Sequence, residues 1–285
     1  MQQSLPFRIL IWLGVAVLLV WSIGPIYWTV ASALTPSAEF SIRPIHFYPH
    51  DITFDHFARL LGINTERIGG VAVWAQFRAA LVNSIVTSLA ATLLCVLISA
   101  LGGYAFSRLD FPGKRTVFIA VVATLAIPGY AVLIPLYRLM IGLHLVDTYL
   151  GVTLIYVSAF LPLSLWLLKS FFDSLPISLE EAAQLDGAGR VYILFRIVMP
   201  LAAPGMTAAA ILTFLGAWGQ YMVPLIFSPT ATKPLTVLIP EFATKNFIDY
   251  GLITAAGSIA IVIPALVVIF LNRYLISGLL AGSAK

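Results

Sequence analysis

Residues 9–30 read ILIWLGVAVLLVWSIGPIYWTV, an apolar run containing nothing more polar than Ser22 and Thr29. A helix rising about 1.5 Å per residue needs roughly 20 such residues to cross a hydrocarbon core of about 30 Å. Ala31-Ser32-Ala33 follows and has the small-residue spacing of a signal-peptidase site. The apolar region of a signal peptide, however, is only about 7–15 residues long. The run is therefore expected to be a retained first membrane helix. Five more apolar blocks follow, which places spans at 9–33, 80–106, 116–140, 149–171, 204–228 and 252–275. Backbone groups in lipid must satisfy one another within a segment, so these spans are helices rather than open strands.

Composition agrees. Of 285 residues, 60% are hydrophobic and 10% charged, whereas a soluble domain keeps roughly 25% charged. The expected fold is a single all-α membrane domain over 1–285 with six transmembrane helices. Pro25, Pro128, Pro162, Pro224 and Pro264 lie well inside the spans as candidate kinks. The net charge of +4 is modest, and the densest basic cluster is Arg108, Lys114 and Arg115, so no nucleic-acid surface is expected. The single cysteine, Cys95, lies within an apolar run, cannot form an internal disulfide and reads as packing.

Orientation follows from Lys and Arg in short loops. With the N-terminus inside, Arg8, Arg108, Lys114, Arg115, Lys169, Arg190, Arg196, Arg273 and Lys285 fall on the cytoplasmic side. The short outer loops hold Arg138, Lys233 and Lys245, and the longer loop 34–79 holds Arg43, Arg59, Arg67 and Arg78. Both termini are accordingly expected in the cytoplasm.

The cytoplasmic segment 172–203, between the fourth and fifth spans, carries Leu175-Pro176-Ile177-Ser178-Leu179-Glu180-Glu181-Ala182-Ala183-Gln184-Leu185-Asp186-Gly187-Ala188. Ser178 with Glu181 three residues later predicts a capping box. Glu180 and Glu181 suit the positive end of a helix dipole. Gly187 is placed to end the helix in a left-handed conformation. Leu179, Ala182, Ala183 and Asp186 share a shallow face by helical spacing, which another protein could approach closely. A second helical stretch runs from Arg190 to Val198 and on to Met199-Pro200.

Glu181-Ala182-Ala183, three residues, Gly187, nine residues, Ile197, one residue and Met199-Pro200 resemble the EAA loop of ABC-importer permeases. The family pattern usually ends Leu-Pro, so Met199 is a conservative departure. The resemblance implies a coupling helix that docks on a separate ATPase, with Ser178, Glu180, Glu181, Ala182, Ala183, Asp186, Gly187, Ile197 and Pro200 as the coupling residues. It also implies two cytoplasmic ATPase subunits that bind ATP and Mg, a second permease subunit (a paralogue), and an extracytoplasmic solute-binding protein. No cofactor or metal is expected in the chain itself, and its home is the bacterial cytoplasmic (inner) membrane.

Further stretches are similar to carbohydrate-type permeases: Phe47-Tyr48-Pro49, Thr53-Phe54-Asp55-His56-Phe57, Asn83-Ser84, Gly103-Tyr104-Ala105-Phe106-Ser107-Arg108-Leu109, Phe111-Pro112-Gly113-Lys114-Arg115 and Ile134-Pro135-Leu136-Tyr137. The tail Arg273-Tyr274 with Gly278-Leu279-Leu280-Ala281-Gly282 resembles the end of the smaller six-helix maltose-type subunit. A sugar or sugar derivative is therefore the expected cargo.

The candidate pathway residues are Asn83, Thr213, Trp218, Gln220 and Tyr221. Trp and Tyr beside Gln could stack on and hydrogen-bond a sugar, or could equally anchor the interface and join helices. Relatives often have Trp-Asn and an acidic residue here, so Gly219 and Gln220 depart from that pattern. Ser84, Ser88 and Thr92 read as a helix-packing stripe, and the loop 229–251 has the length to meet a binding protein.

Among charged residues the spans contain only Arg138, Lys169 and Arg273, all near span ends, and no mid-membrane carboxylate. Such a chain is poorly suited to proton-coupled secondary transport or to a polyamine cargo. Phosphate and amino acids remain alternatives. Gly113-Lys114-Arg115 lacks the spacing and hydroxyl of a phosphate-binding loop, so ATP is not bound by that motif. His46, His50, His56 and His144 fall in or near outer loops and read as loop polarity rather than a metal site.

Overall fold

The leading apolar run folds as α1 (Leu5–Ala33), a continuous helix that carries Pro25 without breaking. The computed structural model describes residues 5–42, 47–64, 67–68, 71–243 and 248–282. Arg43, His46, Lys245 and Lys285, used above for charge and histidine placement, lie outside them. After α1 come α2 (Asp55–Leu61) and a short antiparallel hairpin of β1 (Arg67–Ile68) and β2 (Val71–Ala72). Helix α3 (Val73–Arg108) then starts inside the segment expected to be loop 34–79. The succeeding helices are α4 (Lys114–Ala123), α5 (Leu133–Gly142), α6 (Tyr149–Ser174), α7 (Ser178–Leu185), α8 (Arg190–Ile193) and α9 (Met199–Leu201). The chain continues through α10 (Ala203–Trp218), α11 (Met222–Phe227), α12 (Leu235–Glu241) and α13 (Tyr250–Gly282).

Among the described residues four helices, α1, α3, α6 and α13, are individually long and apolar enough to span a membrane, and two bent pairs, Lys114–Ala126 with Gly129–Gly142 and Arg190–Leu201 with Ala203–Trp218, bring the number to six if each pair is one span. The expected third span, 116–140, is not one straight helix: its halves meet at 96° around Ile127-Pro128. Proline disfavours the helical region for the preceding residue, and Ile127 is extended at ψ 124°. The expected fifth span, 204–228, stops at Trp218 and resumes at Met222. A helix running through Pro224 would drive its ring against the carbonyl of Gln220, four residues back. That carbonyl instead accepts the Thr236 hydroxyl at 2.6 Å. Pro25, Pro162 and Pro264 sit within unbroken helices. Pro128 and Pro224 thus lie at two departures from straight spans, and a further bend of 76° falls at Ala202, between Arg190–Leu201 and Ala203–Trp218.

The chain forms two units, 1–79 with 238–262, and 80–237 with 263–285. In the first, Asp249 caps α13 by accepting the Leu252 amide at 2.9 Å and pairs with Arg59 of α2 at 2.5 Å. His56 is buried, hydrogen-bonded to the Thr35 carbonyl and packed on Gly251, where a Cβ would collide with its ring. Among the described residues no three His, Cys, Asp or Glu side chains gather as a metal site.

In the second unit, α3, α6 and α10 share a core with α8 and the π-helical turn Leu194–Val198, centred on Leu168, Phe172, Ile193 and Val198. Gly205 lets α10 lie against the Phe171 ring of α6, and the Ser164 and Thr213 hydroxyls bond across the same pair at 3.0 Å. Small and hydroxylated residues at helix crossings are what packing in lipid requires. The Ser84–Ser88–Thr92 stripe is buried, as is Cys95.

The turn after α5 places Asp147 in a left-handed conformation, φ 58°, which Asp tolerates better than most residues. Its carboxylate accepts the backbone amides of Thr230, Ala231 and Thr232 and the hydroxyls of Thr230 and Thr232. Burial alone would push its pKa up; the hydrogen bonds from Thr230, Ala231 and Thr232 outweigh it and hold the group at about 2, against an ordinary 3.8. Because the folded value is the lower one, this contribution is complete above about 3.8 and is lost only as pH falls through about 2. Hydrogen exchange of residues 228–235, corrected for intrinsic rates, is predicted to stay constant from neutral pH down to about 4. Asp147→Asn should lose roughly tenfold in protection there throughout that range, because the neutral amide is a weaker acceptor.

Candidate functional site

The segment between α6 and α10 is held by one buried carboxylate. Glu180 of α7 is 4% exposed, and its Oε1 accepts the Arg108 guanidinium at 2.6 Å. The Tyr104 hydroxyl donates to its Oε2 at 3.0 Å. Tyr104 and Arg108 are four residues apart on the last turns of α3, so they present one face to α7. Arg108 also donates to the Leu175 carbonyl at 3.0 Å and to the Ser107 hydroxyl at 2.9 Å. Ser107 in turn donates to Asp173 of α6, which pairs with Lys169. A single guanidinium therefore ties the end of α3 to the chain leaving α6 and to the first turn of α7.

The expected capping box is not formed. Helix α7 begins one residue earlier than that motif needs: Ile177 is already helical, and no side chain caps the end. The amides of Glu180 and Glu181 are taken by the Ile177 carbonyl, so Ser178 sits inside the first turn. Ser178 and Glu181 are both exposed. The C-terminal expectation agrees with the structure. Gly187 has φ +86°, its amide donates to the Gln184 carbonyl, and the Ala188 amide donates to that of Ala183. Those two bonds form a Schellman motif, which only a residue comfortable at positive φ closes without strain.

The faces of α7 also differ from the reading by spacing. Ala183 turns inward with Glu180 and packs on the core, whereas Leu179, Ala182 and Asp186 are exposed. The outward surface is more apolar than expected: Leu185 is 90% exposed, Val191 72% and Tyr192 59%. Ile197 packs against the core beneath. Pro200 is exposed and lines, with Phe195, Met199 and Met206, a shallow apolar hollow of about 420 Å³.

The five pathway candidates are not brought together as a set. Asn83 is 3% exposed and fully engaged: its amide nitrogen donates to the carbonyls of Ala231 and Lys233, and its oxygen accepts the Tyr149 hydroxyl. Next to it the Ser84 hydroxyl accepts the Leu235 amide at 2.8 Å. These residues anchor the loop that Asp147 also holds. Thr213 is buried in its bond to Ser164, and Trp218 is buried and stacked on Phe214. Gln220 is half-buried at the break after α10, and Tyr221 is exposed beside it. Reading by sequence missed Tyr104, Arg108 and Leu185 as parts of the loop. The i, i+4 pairing of an aromatic hydroxyl with an arginine at the end of an apolar run was the available signal.

Residues 98–280 match the model of a protein family described as binding-protein-dependent transport system inner membrane component. The chain is 34% identical over 266 residues to the trehalose transport system permease protein SugB of Mycobacterium tuberculosis, covering 92% of each. It is 31% identical over 288 residues to the trehalose/maltose transport system permease protein MalG of Thermococcus litoralis, covering 100% of this chain and 99% of the relative. In fold it resembles a chain from the crystal structure of a bacterial ABC transporter that imports the acidic polysaccharide alginate, with a TM-score of 0.78 at 20% identity over 96% of this chain and 98% of the other. The chain is a multi-pass membrane protein and belongs to the family of binding-protein-dependent transport system inner membrane components.

Proposed function

We propose that the chain is the permease subunit of an ABC importer, forming one half of the pathway for a sugar or sugar derivative, with α7 as its coupling helix. One observation carries the coupling role. The ridge of Leu185, Val191 and Tyr192 is exposed on a segment that Glu180 and Arg108 fix to the membrane helices. Apolar side chains left in water at the rim of a well-tied helix favour a protein partner, because covering them recovers roughly 25 cal/mol per Å². Glu181, Ala182 and Asp186 flank that ridge and are exposed. The partners in this reading are two ATPase subunits that bind ATP and Mg, so this chain needs no nucleotide site of its own. A second permease subunit, a paralogue, completes the pathway. A solute-binding protein meets the side bearing the loop held by Asn83 and Asp147, and both termini are cytoplasmic.

Two named relatives, SugB and MalG, carry trehalose or maltose in their descriptions. That supports a neutral sugar here. Gln220 and Tyr221, at the break between α10 and α11, are the residues proposed to contact the cargo, with Trp218 and Thr213 setting the geometry of that break.

Leu185→Glu alters a side chain with almost no contacts within the chain, so insertion and helicity should be unchanged. Co-purification with an ATPase subunit and binding-protein-dependent uptake in proteoliposomes should both fall by at least about tenfold. Sugar uptake by the purified chain with no ATPase present would sink the reading. Glu180→Gln leaves Arg108 buried without its counter-charge and is expected to cost about 3–5 kcal/mol of local stability. The readout is exchange of residues 178–188, and Arg108→Met combined with Glu180→Met should recover most of the loss if the ion pair is its cause.

A further inference from the structure

A second cationic feature lies where α3, α4 and α6 come together, beside the coupling segment. A pocket of about 470 Å³ is walled by Lys114 and Arg115 at the start of α4, Lys169 and Asp173 of α6, and the apolar surfaces of Phe106, Phe118 and Ile119. Lys169 is paired with Asp173 and stands 5.3 Å from the centre of the Phe118 ring. Lys114 reaches Asp110 at 3.4 Å, a carboxylate fully open to solvent and therefore weakly held. Arg115 is exposed and has no hydrogen-bond or ion-pair partner among the described residues. With one carboxylate facing three cations, the walls carry an excess of positive charge.

The surroundings give that charge its meaning. No residue of α4 is buried, and Val117 and Ile119 are about half exposed, so the helix presents an apolar flank to its surroundings directly beside the cations. In a membrane-spanning chain that flank faces acyl chains, and the cations stand at headgroup level. A guanidinium offers paired donors that match two phosphate oxygens, and an ammonium beside it supplies a second charge. A zwitterionic headgroup would bring its own cation into a site that already has too many. We propose that this pocket holds the phosphate of an anionic phospholipid, with the acyl chains lying along Phe118 and Ile119. The site rests on the membrane-spanning character of the chain and not on the coupling role of α7. The orientation proposed above decides only which leaflet supplies the lipid.

The test is native mass spectrometry of the full chain, with any subunits that co-purify, released from nanodiscs of mixed phosphatidylglycerol and phosphatidylcholine. The wild type should retain phosphatidylglycerol selectively. Lys114→Gln with Arg115→Gln should weaken that retention about thirtyfold, as expected for two interfacial charges. The swap Lys114→Arg with Arg115→Lys should keep it, and Arg138→Gln, which removes one cation elsewhere, should have no effect. Equal retention of both lipids, or unchanged retention in the double variant, would overturn the site. So would displacement of the lipid by millimolar inorganic phosphate, which would mark a site for free phosphate. Loss of a co-purifying subunit with lipid retention intact would reassign the cations to a protein contact. Because lipid retention is read separately from uptake and from ATPase co-purification, failure here leaves the coupling proposal standing, and the reverse also holds.

Discussion

The Glu180–Arg108 ion pair is the constraint on which the functional end of the molecule depends. Two charges removed from water repay their desolvation only when geometry and additional hydrogen bonds are both good. Here the Tyr104 hydroxyl and the Leu175 carbonyl supply those bonds. The arrangement matters less for net stability than for register. Arg108 terminates α3, Leu175 follows α6, and Glu180 opens α7, so one side chain fixes the relative positions of three elements. Through that guanidinium α7 is bonded to the end of α3 and to the chain leaving α6. The Schellman turn at Gly187 then reverses the chain so that α8 can return to the core through Ile193.

The opposite end of the second unit is tied in a similar way, with different chemistry. The Asn83 amide nitrogen bonds two carbonyls of loop 228–235 while its oxygen accepts from Tyr149 of α6, Ser84 accepts one of the loop's backbone amides, and Asp147 accepts several more. Neither end relies on apolar packing alone. In lipid, where burying another leucine gains little over leaving it among acyl chains, polar bonds and close backbone approaches supply the specificity. Gly205 against Phe171 and the Ser164–Thr213 bond do the same work midway along α6 and α10.

Hydropathy made the helical spans legible, because a run such as residues 9–30 has no other plausible solvent. It could not locate the breaks. At Ile127-Pro128 and at Gly219–Tyr221 the residues are as compatible with a kinked span as with a broken one, and Pro25 and Pro264, equally central, leave their helices whole. At the second break another segment donates to the freed carbonyl, as the Thr236 hydroxyl does to that of Gln220. Spacing likewise found the end of α7 correctly at Gly187, where positive φ is a local demand. It misplaced the beginning, because Ser178 and Glu181 fit a capping box equally well whether or not the helix starts a residue earlier. The inward role of Glu180 was hidden for a related reason: its partners lie more than 70 positions away in sequence. Asn83, expected to line the pathway, instead has its side chain taken up by the carbonyls of Ala231 and Lys233 and by the Tyr149 hydroxyl.

The hydrogen bonds around Asp147 have a consequence for the environment in which such a protein can work. A carboxylate held ionised to about pH 2 keeps its charge and its full set of hydrogen bonds at neutral and at mildly acidic pH. The loop it holds is therefore an acid-proof fixture. Any molecule that meets this loop would find the same surface at neutral and at mildly acidic pH.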